Sequence, residues 1–218
     1  RVTYAGSEDT SPLPPTTTAA LPETTGLRYL RHELEAFHGK KEADPVAIKK
    51  AWEHLDHGDR HIAWAARIIL EHQPVSTWKE KALSETVPGK QLPALMTLAR
   101  VSNAGPAHRE ENAKVDTATR DQILEALLKL DYASLKHREQ LTHVRTIEIA
   151  LHRAGDPDQA TIDQIIAQLD PSFPADNFPE NWLLCETLAH LQAPNTAAKG
   201  MALIADAIGQ EQQLEYAR

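Results

Sequence analysis

Apolar residues recur at helical spacing along most of the chain, most clearly between Leu55 and Pro74 (LDHGDRHIAWAARIILEHQP). The apolar positions of this stretch follow an i, i+3, i+4, i+7, i+8 pattern, which places them on one stripe of an α-helix: Ile62, Ala65, Ala66, Ile69 and Leu70. Asp59 is a typical N-cap, and Pro74 predicts the end of the helix. Small alanines in the stripe let a neighbouring helix approach closely, so this stretch indicates stacked helix pairs.

Weaker stripes of the same kind predict about nine or ten helices in total, with a short helix at the end of the sequence as a further candidate. Asp44 is the predicted N-cap of a helix whose first residue is Pro45, and Ser76 or Thr77 is the predicted N-cap of the helix over 78–85. Pro88 with Gly89 predicts a turn before a helix over 92–102. The remaining predicted helices cover 25–38, 117–130, 132–154, 158–169, 179–192, 195–208 and, as a short last helix, 210–217.

Two segments lack helical periodicity and divide the chain. Residues 1–4 resemble the end of a β-strand, and 11–23 (SPLPPTTTAALPE) resemble an extended linker, because residues before proline avoid the helical region. We therefore assign 1–24 to an extended linker and the end of a preceding domain, and 25–218 to a helical domain. The polar stretch 102–117 predicts an exposed loop or a seam between two sub-arrays. A chain that begins with Arg1 rather than Met is also expected to be either a processed product or a piece of a longer protein.

Together these elements predict an all-α fold. Helix pairs that recur every 30 to 45 residues, none able to bury its own stripe, are typical of an α-solenoid of antiparallel helix pairs. A closed helical bundle is the structural alternative. Nine glycines and few alternating β-branched residues in 218 residues also favour helix over sheet.

Composition narrows the classes of partner. The net charge of −8 repels phosphate backbones and anionic membranes, so nucleic acid is a poor partner on these grounds. No apolar run reaches the roughly 18 residues that span a bilayer. The single Cys185 forms neither an internal disulfide nor a Cys-x-x-Cys site, and we expect it to be a buried apolar residue. The residues alone do not indicate a cellular compartment.

No motif in the sequence predicts catalysis. His54, His57 and His61 lie near Asp56 and Asp59, a composition that permits a metal site, but Gly58 and the N-cap favour a solvated turn between helices. Nucleotide-binding, nucleophile-elbow and zinc-protease motifs are absent from the sequence. We therefore predict no catalytic residue, no metal site and no cofactor in this chain.

One surface patch is a candidate for binding. Arg60, Trp64, Arg67 and Glu71 fall at i, i+4, i+7 and i+11, on the helix face opposite the alanine stripe. Tryptophan and arginine are enriched at interface hot spots, so Arg60, Trp64 and Arg67 form a candidate interaction patch. In the alternative interpretation, Trp64 packs against the adjacent helix pair with an arginine stacked on it.

The stretch LDHGDRHIAWAARIILEHQP resembles the second helix of a HEAT repeat, with Asp59, Ile62, Ala66 and Ile69 at the typical positions. It departs from the pattern at Ala63, where most such repeats have a basic residue. More broadly, this stretch and the segments RVTYAGSEDTSP and NWLLCETLAHLQAP resemble the middle section of large secreted haem-binding, dehydrogenase-like proteins of planctomycete-type bacteria.

In that family a β-propeller precedes the helical section and a c-type cytochrome domain follows it. The resemblance implies a periplasmic or secreted connector that contacts these flanking domains, in a parent protein that is an oxidoreductase. It carries over no haem site, because the chain has no Cys-x-x-Cys-His.

We therefore predict a non-catalytic HEAT-like scaffold or interaction module, with protein surfaces as partners. The alternative is a HEAT-like DNA-repair glycosylase, because that enzyme class also places Trp, Arg and Asp in the groove of a helical-repeat fold.

Overall fold

A computed structural model describes Gly6, the backbone of residues 22–217 and the side chains of residues 26–217. The predicted strand end at 1–4, and the predicted linker as far as residue 21, lie outside the described residues. Within them the fold is all-α, as predicted, with eleven α-helices rather than nine or ten and no strand. The helices are α1 Pro22–Glu35, α2 Pro45–His54, α3 Arg60–His72, α4 Lys79–Ser84, α5 Pro88–Ser102, α6 Thr117–Leu128, α7 His137–Ala154, α8 Gln159–Leu169, α9 Phe178–His190, α10 Thr196–Asp206 and α11 Gln210–Ala217.

The first two predicted caps are confirmed. The Asp44 carboxylate accepts hydrogen bonds from the N–H groups of Val46 and Ala47, and Pro45 is the first residue of α2. The Asp59 carboxylate accepts from the two N–H groups at the start of α3, at 2.7 and 3.3 Å. The apolar stripe of α3 is buried as predicted: Ile62, Ala65, Ala66, Ile69 and Leu70. These signals are local in sequence, which is why the sequence suffices to find them.

Three other predicted boundaries were wrong. Pro88 and Gly89 do not form a turn but open α5, because a proline at the first helical position loses no internal hydrogen bond. Thr77 does not cap α4: its hydroxyl donates to the carbonyl of Pro74 within a 3-10 turn at 75–77, and neither Thr77 nor Ser76 is the N-cap, which is Trp78. The predicted helix 132–154 begins only at His137, after a 3-10 turn at 132–134.

The helices pack in two successions. Helices α3, α5, α7 and α9 each pack against the next, and α4, α6 and α8 do the same. Consecutive helices also pair across these successions, as α4 with α5, α6 with α7 and α8 with α9. Helices α1 and α2 pack against α3 at one end, and α10 and α11 pack against α9 at the other. One continuous cluster of buried apolar side chains runs from Leu34 in α1 to Ala193 after α9.

The carboxyl ends of α3, α5 and α7 lie together. Glu71, in the last turn of α3, lies 3.0 Å from the Arg100 Nε near the end of α5. Arg153, near the end of α7, donates to the carbonyls of Arg100 and Asn103, the latter at 2.7 Å. Arg120 of α6 donates at 2.9 to 3.2 Å to the carbonyls that end α7: Ala154, Gly155 and Asp156. Arginine side chains therefore satisfy free carbonyls and lie at the negative ends of these helix dipoles.

The long loop between α5 and α6 is closed at its base. The Asn103 side-chain oxygen accepts from the Asp116 N–H at 2.8 Å, and the Asn103 amide donates to the Asp116 carbonyl at 3.3 Å. Arg109, in the middle of the loop, donates to the carbonyls of Ala104 and Arg153. The loop is therefore attached to the helices at both its base and its middle. The seam predicted at 102–117 falls on this loop and stays a prediction.

A partly buried carboxyl group lies between α7 and α9. The Glu148 carboxylate is 2.7 Å from Arg145 Nη1, accepts from the Thr187 hydroxyl at 3.1 Å and has a side chain only 13% exposed. Burial raises its pKa to about 7, Arg145 opposes the rise, and the nearby Glu186 adds to it. The charged form is therefore less favourable in the folded chain than in the unfolded chain.

We expect the contribution of Glu148 to stability to decrease as the pH rises. Its ordinary pKa is 4.5, so between that value and about 7 the folded chain binds more protons than the unfolded chain. The stabilisation is complete below pH 4.5 and lost as the pH rises through 7. Glu148→Gln removes this titration. In urea unfolding, the free energy of unfolding of the variant relative to that of wild type should therefore increase by about 1 to 3 kcal/mol from pH 4.5 to pH 8. The exposed Glu53→Gln is the control; equal pH profiles for wild type and Glu148→Gln would contradict the prediction.

The fully buried Ala66 tests the packing of α3. Ala66 has no exposed surface, so Ala66→Leu should overpack its contact and destabilise the fold by about 1 to 3 kcal/mol. Ala160→Leu, at an exposed position in α8, is the matched control and should change the urea midpoint little. An unchanged midpoint for Ala66→Leu would show that a different face of α3 is buried.

Candidate interaction groove

A groove of about 540 Å³ lies where α3, α5 and α7 begin. Helix α3 contributes its first two turns from Arg60 to Arg67, α5 contributes residues between Pro88 and Met96, and α7 contributes residues from Lys136 to Thr142. Since the carboxyl ends of the same three helices also lie together, α3, α5 and α7 run in one direction. The groove is therefore the edge at which three amino-terminal helix ends meet.

All three residues of the predicted patch line this groove. Trp64 is 53% exposed, whereas Trp52 and Trp78 are 5% and 1% exposed. Arg60 is exposed, and the Arg67 side chain is 17% exposed. The structure thus places Arg60, Trp64 and Arg67 along one wall, and their role in binding stays a prediction. More than half of the Trp64 ring is free of the close packing that the alternative interpretation required.

Arg67 belongs to an ion-pair network that crosses to α5. Its Nε lies 3.4 Å from Glu71 Oε1, and the same oxygen lies 3.0 Å from Arg100 Nε. Burial lowers the pKa of the Arg67 guanidinium, the Glu71 carboxylate raises it, and Arg100 lowers it. One carboxylate therefore serves two guanidinium groups, so the network keeps a net positive charge.

The start of α5 is held close to the other wall of the groove. A Cβ atom at Gly89 would lie 3.2 Å from Asp56 Cβ and 3.5 Å from Glu139 Oε1, a close approach that glycine permits. The segment before it is fixed by Glu85, whose carboxylate accepts from Trp52 Nε1 at 2.7 Å and from two backbone N–H groups at 2.9 and 3.0 Å. Burial raises the pKa of Glu85, but these hydrogen bonds outweigh it and leave the pKa below its ordinary value.

The N-cap and the first turn of α7 supply two cations that the sequence pattern does not group with Trp64. Lys136 and Arg138 are exposed and line the groove. Glu139 accepts the backbone N–H of Lys136 at 2.9 Å, which caps the start of the helix. The distance in sequence from Trp64 hides this grouping, because only the packing of α5 between α3 and α7 brings the residues together.

Within the described chain, the polar side chains of the groove lining are four cations, two carboxylates and one hydroxyl. The hydroxyl is that of Thr142, which donates to the Arg138 carbonyl at 2.8 Å. In the turn beside the groove, His57 Nδ1 accepts the Asp59 N–H at 3.0 Å, and the His54 and His57 ring centroids are 6.1 Å apart. Over residues 26–217, no group of three or more His, Cys, Asp or Glu side chains is arranged to hold a metal ion.

A second cluster of titratable groups is buried between α7 and α9. The Tyr132 hydroxyl donates to Glu180 Oε1 at 2.9 Å, and the Asn177 amide donates to Glu180 Oε2 at 2.9 Å. Burial raises the pKa of Tyr132, and the Glu180 carboxylate raises it further. Burial lowers the pKa of His143 to about 4, although the hydrogen bond with the Leu127 carbonyl opposes this shift. Because both oxygens of Glu180 are already engaged, this cluster serves to join the helices.

Comparison with known proteins identifies no relative: no family model, curated protein or solved structure matches the chain. None of the helices in the described part of the chain has the length and apolar character needed to cross a membrane.

The exposure of Trp64 predicts a small effect on stability. Trp64→Ala should destabilise the fold by about 1 to 2 kcal/mol, because only part of the ring is buried and its removal opens no enclosed cavity. Trp78→Ala, at a position that is 1% exposed, should destabilise it by about 3 to 5 kcal/mol. Urea unfolding of the two variants measures the difference; equal losses would place Trp64 in the core and remove it from the candidate patch.

Proposed function

We propose that this chain is a non-catalytic, HEAT-like scaffold or interaction module that connects domains of a larger haem-binding, dehydrogenase-like protein. The observation that carries the proposal is the groove where α3, α5 and α7 begin, in which a half-exposed Trp64 lies among cations. Tryptophan and arginine at a concave surface are the residues that most often dominate protein interfaces.

The packing of the helices supports the α-solenoid part of the proposal. In a helical-repeat array each pair packs mainly on the pairs before and after it, which gives two successions of stacked helices. The successions α3, α5, α7, α9 and α4, α6, α8 follow this pattern, and the shared direction of α3, α5 and α7 is what equivalent helices in successive repeats adopt. The buried alanine stripe of α3 agrees with the close stacking that such repeats require.

The resemblance to planctomycete-type haem-binding proteins supports the proposed setting. In that setting the chain lies between a β-propeller and a c-type cytochrome domain in a periplasmic or secreted oxidoreductase, and its partners are these flanking domains. The only cysteine, Cys185, is buried, and a covalent haem attachment requires two cysteines. Redox chemistry would therefore reside in the neighbouring domains of the parent protein.

One observation favours the alternative, a HEAT-like DNA-repair glycosylase. Asp56 shares the groove with Trp64 and with the cations Arg60, Lys136 and Arg138, so the residue types of that enzyme class are close together. The net charge of −8 opposes it, because duplex DNA requires clustered cations over a longer surface than one groove.

Binding experiments on the whole chain distinguish these functions. We expect no change in the haem absorbance spectrum on titration and no micromolar binding of labelled duplex DNA at moderate salt. A random-peptide phage selection against the immobilised chain should enrich peptides that do not bind the Trp64→Ala variant.

Duplex binding that weakens steeply with salt and is lost in Asp56→Asn would favour the glycosylase. A selection that yields no Trp64-dependent peptide would reject the groove as an interaction surface.

A further inference from the structure

We infer that the groove at the start of α3, α5 and α7 binds a short acidic peptide segment that carries an apolar anchor residue. This inference rests on the proposed function and specifies the partner of the same site. It follows from two features of the groove: the sign of its exposed charge and the apolar surface between its cations.

The charge of the groove is opposite to that of the chain. Its lining has four cationic side chains and two carboxylates, within a protein of net charge −8. Arg60, Lys136 and Arg138 are exposed, so they are accessible to a ligand. Of the two carboxylates, Glu139 is engaged with the Lys136 N–H. Asp56 is exposed, so the exposed charged side chains of the lining are three cations and one carboxylate, a balance that is complementary to carboxylates.

The direction of the helices adds little to this charge. Three amino-terminal ends, each equivalent to a partial positive charge, meet at the groove. Asp59 compensates the end of α3, and Glu139 compensates that of α7. The start of α5 faces carboxylates as well, because Glu139 Oε1 and Asp56 Oδ2 lie 3.5 and 4.0 Å from the position of a Cβ at Gly89. The positive charge offered to a ligand therefore comes from the exposed side chains of the lining.

An apolar surface lies between the cations. Trp64 faces the groove from α3, and the partly exposed Pro93 and Met96 face it from α5. A volume of about 540 Å³ is in the range of ordinary ligand sites, and it accommodates a few side chains. An aromatic or aliphatic residue stacked on Trp64 would fill it.

A peptide fits these features better than a nucleic acid. A short segment interacts mainly with charges within about 8 Å, the screening length at physiological ionic strength, so the groove dominates the field it meets. A long polyanion extends beyond the groove over the remaining surface of a chain with net charge −8. The apolar side chains of the groove can also pack against a leucine or phenylalanine of a peptide, whereas phosphates and sugars make no such apolar contact.

Fluorescence anisotropy with three matched peptides tests the inference on the whole chain. The acidic probe EELEEFEELEE should bind, whereas KKLKKFKKLKK should bind at least about tenfold more weakly because its charge is reversed. EEGEEGEEGEE keeps the charges without the apolar residues and should also bind at least about tenfold more weakly. Labelled single-stranded and duplex DNA are measured in the same buffer.

Variants locate the binding on the groove. Arg138→Glu should weaken binding of the acidic probe by about fivefold or more, and Trp64→Ala by about tenfold or more. Lys49→Glu makes the same change of charge at an exposed position of α2 outside the groove lining, and should change affinity less than about twofold. Urea unfolding confirms that each variant folds, and Arg60→Glu replaces any variant that does not.

Each result bears on one of the two proposals. Tight binding of the lysine peptide, equal binding of the glycine peptide, equal effects of Arg138→Glu and Lys49→Glu, or no binding of any peptide would overturn the inference. DNA that binds more tightly than the acidic probe would overturn it as well. Phage selection separates the proposals, because Trp64-dependent peptides that lack acidic residues would leave the interaction module in place while rejecting its acidic partner.

Discussion

The shared direction of α3, α5 and α7 is the constraint on which the rest of the structure depends. Parallel neighbours bring their dipoles side by side, so positive ends gather at one edge and negative ends at the other. At the negative edge, Arg100, Arg153 and Arg120 lie at the helix ends, and the last two donate hydrogen bonds to free carbonyls. This compensation lets the helices stack closely on small residues such as Ala66.

The two edges differ in the charged side chains that lie beside the helix ends, and this difference gives the candidate site its character. The carboxyl edge is compensated within the protein by arginine side chains, one of them part of the network with Glu71. The amino edge keeps exposed cations beside a half-exposed Trp64 and has only two carboxylates in its lining. An anionic partner would pair with the exposed cations of the amino edge. In the proposed interaction, binding specificity would follow from fold geometry as much as from individual side chains.

The sequence predicted the features that are encoded locally. The Asp44 and Asp59 caps and the buried stripe of α3 each depend on residues within a few helical turns, and the loop after α5 follows from its own polar composition. Pro88 with Gly89 was misinterpreted because proline and glycine serve both turns and first helical turns. The cations Lys136 and Arg138 could not be assigned to the Trp64 groove, because their proximity depends on how α5 separates α3 from α7.

The hydrogen bonds between Asn103 and Asp116 have a consequence for how this protein can change. They fix the distance between the two ends of the loop independently of the residues in between. The closure entropy of a flexible loop grows only slowly with its length, so residues between Arg109 and Val115 could be added or removed while α5 and α6 keep their positions and Arg109 keeps its contact with the Arg153 carbonyl. The loop is thus a place where a lineage could acquire a new element without disturbing the helix ends on which the groove depends.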